Sequence, residues 1–164
     1  MGRALLAWIG QTDIDSARDD GARGIGPIAQ ALAAEKFDHV VLLNNYDEEK
    51  IASFRSWVGK RTPVAIEHRQ VVTAPTDYSA IYRASSEAAS STLQKHGPKT
   101  ALTFHLSPGT KPMAITWVIL AKTRFDARLI ESSTQAGVQS VDFPFQISAE
   151  FIPSAVRQVD EDLG

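Results

Sequence analysis

The chain has 164 residues, 43% hydrophobic and 22% charged, which suits one domain with a buried core and excludes a disordered segment. A formal net charge of −2, with acids and bases interspersed, excludes a broad basic face for long nucleic acid. The absence of cysteine excludes disulfides, a thiol nucleophile and cysteine-ligated metal centres, and no apolar run approaches the roughly 20 residues of a membrane helix.

In chain order, Ala4 to Ile9 is a short apolar run that reads as a buried strand ended by Gly10. A polar stretch from Gln11 to Gly21 follows. Beyond Gly24, residues Ile25, Ile28, Ala29 and Leu32 fall at helical spacing. His39 to Leu43 is a second strand, ending at Asn44-Asn45. Asp47 is then an N-cap, Glu48 and Glu49 suit the first helical turn, and Gly59 suits its stop. Val64 to Val72 reads as a third strand. A helix starting at Pro75-Thr76-Asp77 carries Tyr78, Ile81, Tyr82, Ala89 and Leu93 along one side and ends at Gly97-Pro98.

Thr100 to Leu106 is a fourth strand, and a helix from Pro112 to Thr123 follows the Ser-Pro-Gly-Thr turn. Ala127 to Glu131 makes a fifth strand and Val138 to Ile147 a sixth, with Pro144 marking an edge or bend. Strands alternating with helices predict an α/β fold, a Rossmann-like three-layer sandwich. Its sheet of about six strands is mostly parallel and has helices on both faces. The polar tail 154–164 reads as a linker, leaving 1–153 as the domain, and nothing at the N-terminus has the form of a signal peptide. A cytoplasmic location is therefore expected.

In open α/β sheets, ligands bind beyond the carboxyl ends of the strands, so the loops after strands one and four are the candidate site. In the second of these, Gly109 lets backbone approach a ligand, Ser107 and Thr110 offer hydroxyls, and Lys111 offers a charge. Pro108 stiffens the turn. Pro112 at the start of the helix makes Thr110 or Lys111 the N-cap, and a helix start with hydroxyls and a lysine suits an anion. The same turn could serve only to cap the helix. In the first loop, Gln11, Thr12 and Asp13 follow Gly10 and could either hydrogen-bond a sugar or base or simply form a turn and cap.

The helix after Lys111 is apolar nearly all round, from Met113 to Ala121, which predicts burial against the sheet and against a second element or subunit. There is no P-loop, and Gly21, Gly24 and Gly26 have the wrong spacing for a dinucleotide fingerprint. Ser107 lacks the flanking glycines of a hydrolase elbow. His39, His68, His96 and His105 show no metal spacing, so neither a metal nor a cofactor is expected; His105 reads as a strand-end residue beside the site. Trp8, Trp57 and Trp117 lie in apolar patterns and read as core.

Strand four running into His105-Leu106-Ser107-Pro108-Gly109-Thr110-Lys111-Pro112 resembles the signature loop of CARF domains, the CRISPR-associated Rossmann-fold sensors. Ala74-Pro75-Thr76-Asp77-Tyr78 resembles the helix start often found in that family. Segments 4–10, 102–110 and 147–153 are similar to the N-terminal sensor of bacterial sigma-54-dependent RtcR-like transcriptional regulators. The resemblance implies a homodimer binding a cyclic oligoadenylate or short RNA-derived nucleotide across its two-fold axis. The ligand residues it implies are Gly10, Gln11, Thr12, Asp13, Ser107, Pro108, Gly109, Thr110 and Lys111. It also implies a fused AAA+ ATPase and DNA-binding domain for regulators of RNA repair, or the sensor of a CRISPR effector. Some members are ring nucleases, and for that alternative the resemblance implies Thr12 and Lys111 as catalytic helpers. Where the common loop reads Gly-Gly-Thr, Pro108 stands before Gly109 here and removes an N–H donor.

Overall fold

The computed structural model describes residues 2–144. The elements run β1 (Arg3–Trp8), α1 (Gln11–Arg18), α2 (Gly26–Ala34), β2 (His39–Asn44), α3 (Glu48–Arg61), β3 (Ile66–Gln70), α4 (Tyr78–His96), β4 (Ala101–His105), α5 (Lys111–Thr123), β5 (Ala127–Ser133) and β6 (Gly137–Val141). They form one six-stranded sheet in the order β3-β2-β1-β4-β5-β6. All neighbours pair in parallel except β5 and β6, which form an antiparallel hairpin. This is the Rossmann-like sandwich expected from the alternating pattern.

Burial explains the strand composition. The central strands β1 and β2 are covered on both faces and read as continuous apolar runs, while the edge strands β3 and β6 mix polar and apolar residues. Alternate residues of β1 feed two cores. Leu6 and Trp8 join Phe104, Trp117 and Leu120 beneath α4 and α5, and Leu5 and Ala7 join Ile14, Ile28, Phe54 and Val58 beneath α1, α2 and α3. Trp8 is fully buried, and its indole N–H donates to Ser85 Oγ of α4 at 2.9 Å.

Several boundaries differ from expectation. The polar stretch after Gly10 contains helix α1, whose inward face includes Asp13 and Ser16 beside Ile14. Its polarity hid the helical period because the buried polar groups are locally hydrogen-bonded. The third strand is shorter than Val64–Val72, and Val72 is fully exposed beyond its end. The sixth strand ends at Val141; residues 145–147 of the expected strand and the expected linker 154–164 lie outside the described residues. Trp57 is only half-buried: its N–H donates to Asp20 at 2.9 Å, and the Arg61 guanidinium lies 4.6 Å from its ring centre. The other two tryptophans are core, as expected.

Replacing Trp8 tests the join between sheet and α4. Trp8→Phe should cost about 1–3 kcal/mol of unfolding free energy, and Trp8→Ala about 3–5 kcal/mol, by denaturant titration.

Candidate functional site

Strands β1 to β3 wind away from the sheet centre in one direction, and β4 to β6 in the other. The crevice between the carboxyl ends of β1 and β4 is therefore the topological switch point. There the two candidate loops meet backbone to backbone. A Cβ placed on Gly10 would lie 2.5 Å from the Gly109 amide nitrogen. Gly109 has a φ of +91°, and a Cβ on it would lie 2.7 Å from Met113 Sδ and 3.3 Å from Trp8 Cβ. Both positions need glycine, for the close approach at one and for the left-handed backbone as well at the other.

Two buried titratable side chains brace these loops. Asp13 accepts from the Gly10 N–H at 2.9 Å and from the Ile28 N–H at 3.0 Å, so both carboxylate oxygens are engaged. Burial pushes its carboxyl up to about 6, while the two N–H donors pull the other way. His105 accepts at Nδ1 from the Ser107 N–H at 3.2 Å, which places the ring proton on Nε2. That nitrogen lies 3.2 Å from the Pro27 carbonyl and 2.7 Å from Ser132 Oγ. Burial pushes the imidazole down to about 4, against the Pro27 hydrogen bond. The Pro27 carbonyl and the Ile28 N–H belong to one peptide group, so Asp13 and His105 hold the start of α2 from its two sides.

The glycine contact separates two depressions. On the β2 side a slot of about 240 Å³ is lined by Ile9, Gln11, Asn45, Tyr46, Pro75, Gly109, Thr110 and Met113. On the β5 side a basin of about 410 Å³ is lined by Thr12, Asp15, Ser16, Asp19, Arg23, Gly24, Gly26, Pro27, Gln30, Ser107 and Ser132 to Thr134. Gln11 is exposed at the slot and Thr12 at the basin, and Lys111 is exposed at the first position of α5. Asp13 and Pro108 are buried and support the loops from within. Thr110 is the N-cap residue of α5, and its hydroxyl donates to the Pro75 carbonyl at 2.8 Å. That bond joins the segment opening α4 to the loop after β4.

The residues missed by the sequence reading are Asn45, Tyr46, Pro75 and Ser132. Only Asn45 had a local signal, as a polar residue just past a strand's carboxyl end; the others arrive through sheet order. The tyrosine hydroxyl of Tyr46 has its pKa raised, by burial first and then by the charges of Asp13 and Asp15. On α5, Ile115 and Ile119 remain 44% and 39% exposed, so the face that was expected to be covered lies open in the single chain. Among the described residues no cluster of three or more histidines and acids is arranged to hold a metal, and no helix is long and apolar enough to cross a membrane. His39 and His96 stack on one another at 3.5 Å on the opposite end of the sheet.

Solved structures share this architecture. Enterococcus italicus Csm6 bound to cyclic hexa-2′-fluoro-hexa-dAMP is similar over 99% of this chain and 38% of its own, with a TM-score of 0.64 and 18% identity. Can2 from Sulfobacillus thermosulfidooxidans, in complex with cyclic tetra-adenylate, is similar over 84% of this chain and 34% of its own, with a TM-score of 0.60 and 14% identity. The protein VC1899 from Vibrio cholerae is similar over 87% and 33%, with a TM-score of 0.60 and 11% identity. The fold is theirs. The chain spans about a third of the length of these proteins. No family model and no curated protein matches it.

The two bracing residues impose opposite pH dependences. His105 moves from 6.5 to about 4 on folding, so acidification through that window protonates the unfolded chain first and lowers stability. Asp13 moves from 3.8 to about 6, so acidification protonates the folded chain first and raises stability. Each shift corresponds to about 3 kcal/mol, and in the wild type the two largely offset. Denaturant titrations across this window should show Asp13→Asn losing stability on acidification relative to wild type and His105→Asn gaining it. Slopes of the same sign in both variants would contradict the assignment.

Proposed function

We propose that the chain is a CARF-type nucleotide-sensing domain that binds a cyclic oligoadenylate or a short RNA-derived nucleotide at the loops after β1 and β4. The observation that carries this reading is the contact of Gly10 with Gly109 at the switch point, which joins both loops into one floor between two depressions. The ligands in the Csm6 and Can2 structures are cyclic nucleotides, which supports the same ligand class here. Lys111 stands exposed at the start of α5, where its ammonium group can meet a phosphate. Gln11, Thr12, Ser107, Gly109, Thr110 and Lys111 form the binding surface, while the buried Gly10, Asp13 and Pro108 hold its backbone.

A homodimer fits this reading. Ile115 and Ile119 lie one helical turn apart on the exposed face of α5, close in sequence to Lys111, so covering them with a second copy brings two sets of loops together. Ligand binding across that axis then favours one arrangement of the protomers, which a fused AAA+ ATPase and DNA-binding region of a sigma-54-dependent regulator would read as its signal. The location proposed is the cytoplasm.

Calorimetry with cyclic tetraadenylate and cyclic hexaadenylate should give saturable binding, weakened about tenfold in Lys111→Ala and less sensitive to salt in that variant. In sedimentation, Ile115→Glu with Ile119→Glu should convert a dimer to monomer. Failure of every cyclic and linear oligoadenylate to bind would overturn the nucleotide reading. Conversion of a bound ring on long incubation, lost in Lys111→Ala, would instead make Thr12 and Lys111 catalytic.

A further inference from the structure

Strand β3 is an edge of the sheet, with no strand beyond it among the described residues. The Val71 N–H donates to the Asn44 carbonyl of β2 at 2.8 Å, so the residues alternating with it, Arg69 and Glu67, also turn their backbone groups to β2. Ile66, His68 and Gln70 therefore turn their N–H and C=O groups to the open edge. Just past the strand, Val72 is fully exposed.

The sequence along this edge is self-complementary. Read outward from His68, Glu67 mirrors Arg69, Ala65 mirrors Val71 and Val64 mirrors Val72. Two antiparallel copies centred on His68 thus place each glutamate opposite an arginine and the apolar ends opposite one another. This register pairs every outward backbone group of β3, Ile66 with Gln70 and His68 with its own counterpart. Glu67 and Arg69 then fall at non-hydrogen-bonded pairs, where opposing side chains are closest. Sliding the copies by two residues keeps outward groups together but opposes Glu67 to Glu67 or Arg69 to Arg69, which like charge disfavours. Within the chain these two side chains meet at 3.2 Å, each about one third exposed, so both remain reachable from across the edge. The His68 ring at the axis is pushed toward its uncharged form, by burial first and then by the Arg55 guanidinium.

We propose that the β3 edge binds a second copy of this chain, strand against strand and antiparallel about a two-fold axis at His68, so that two sheets become one. The contact lies apart from the α5 face and does not depend on the nucleotide reading. One strand against one strand buries less than a stable dimer needs, so it forms at high concentration, with a dissociation constant on the order of 10⁻⁴ M. Where the α5 face pairs as well, each chain has two different two-fold neighbours, and dimers are linked into larger assemblies.

Sedimentation equilibrium of the full chain carrying Ile115→Glu and Ile119→Glu isolates this contact from the α5 face. Near the stated dissociation constant that protein should be partly dimeric, and added salt should weaken the dimer. In the same background Glu67→Arg and Arg69→Glu should each weaken association at least severalfold, because like charges then face each other across the axis. An equimolar mixture of the two should restore it, since one chain then presents two positive positions to two negative ones. The chain has no cysteine, so His68→Cys adds a single thiol. It should oxidise to a disulfide dimer, because residues paired there have Cα atoms about 5.5 Å apart. Gln70→Cys should not, because its counterpart lies about 13 Å along the partner strand. Matching thermal melts verify that each variant is folded. Absence of concentration-dependent association overturns the proposal. Association that ignores either charge reversal, or is not restored in the mixture, overturns it too, because the partner then sits on another surface. Equal disulfide yields at 68 and 70 overturn the register, and the two-fold pairing with it.

Discussion

The site depends on one peptide group. The bond between Pro27 and Ile28, at the start of α2, is held on its carbonyl side by His105 and on its N–H side by Asp13. Each of these side chains also fixes one of the two loops, Asp13 through the Gly10 N–H and His105 through the Ser107 N–H. Removing Asp13 would leave the buried Gly10 and Ile28 N–H groups without their partner, at a cost of about 1–3 kcal/mol for each. The loops are therefore set by a shared internal support, and the close approach of Gly10 to Gly109 is its outcome. A crevice floor assembled this way is held by the fold itself, which would limit the entropy lost on binding the proposed ligand.

The support uses ionisable groups where neutral ones would be simpler. A desolvated carboxylate is costly, yet Asp13 offers two acceptor oxygens to two N–H groups that come from different elements. A serine in its place could not reach both. Histidine at 105 offers an acceptor and a donor across one rigid ring, which suits the Ser107 N–H on one side and Pro27 and Ser132 on the other. With an acid and a base displaced toward each other's range, acid affects the two halves of the support oppositely.

The sheet was legible in the sequence because its central strands are apolar runs, and α/β alternation leaves few topologies once crossovers are right-handed. The loop from His105 to Lys111 and the helix after it were legible from glycine, proline and apolar spacing. Helix α1 was not, since Asp13 and Ser16 occupy inward positions that apolar residues usually mark. Nor were Tyr46, Pro75 and Ser132, which reach the crevice from segments that only sheet order brings there. Trp57 misled in the opposite sense: its apolar context in α3 hides a polar edge that binds Asp20. A bond such as that from Thr110 to the Pro75 carbonyl joins segments 35 positions apart, and no local pattern announces it.

The start of α5 looked from sequence like a generic anion site made of backbone N–H groups, and the geometry narrows that description. Pro108 and Pro112 contribute no N–H. The Ser107 N–H is committed to His105, and the Thr110 N–H points at Met113 Sδ at 3.3 Å. Two backbone donors of this turn are thus absent and two are used inside the loop. On the proposed reading, a phosphate at this end would rely on the Lys111 ammonium group, which stands exposed at the first position of α5. An ammonium on a flexible stem tolerates different phosphate positions, whereas amides would fix one. On that reading selectivity would come from the rest of the crevice, where the slot and the basin present unlike surfaces on the two sides of the glycine contact.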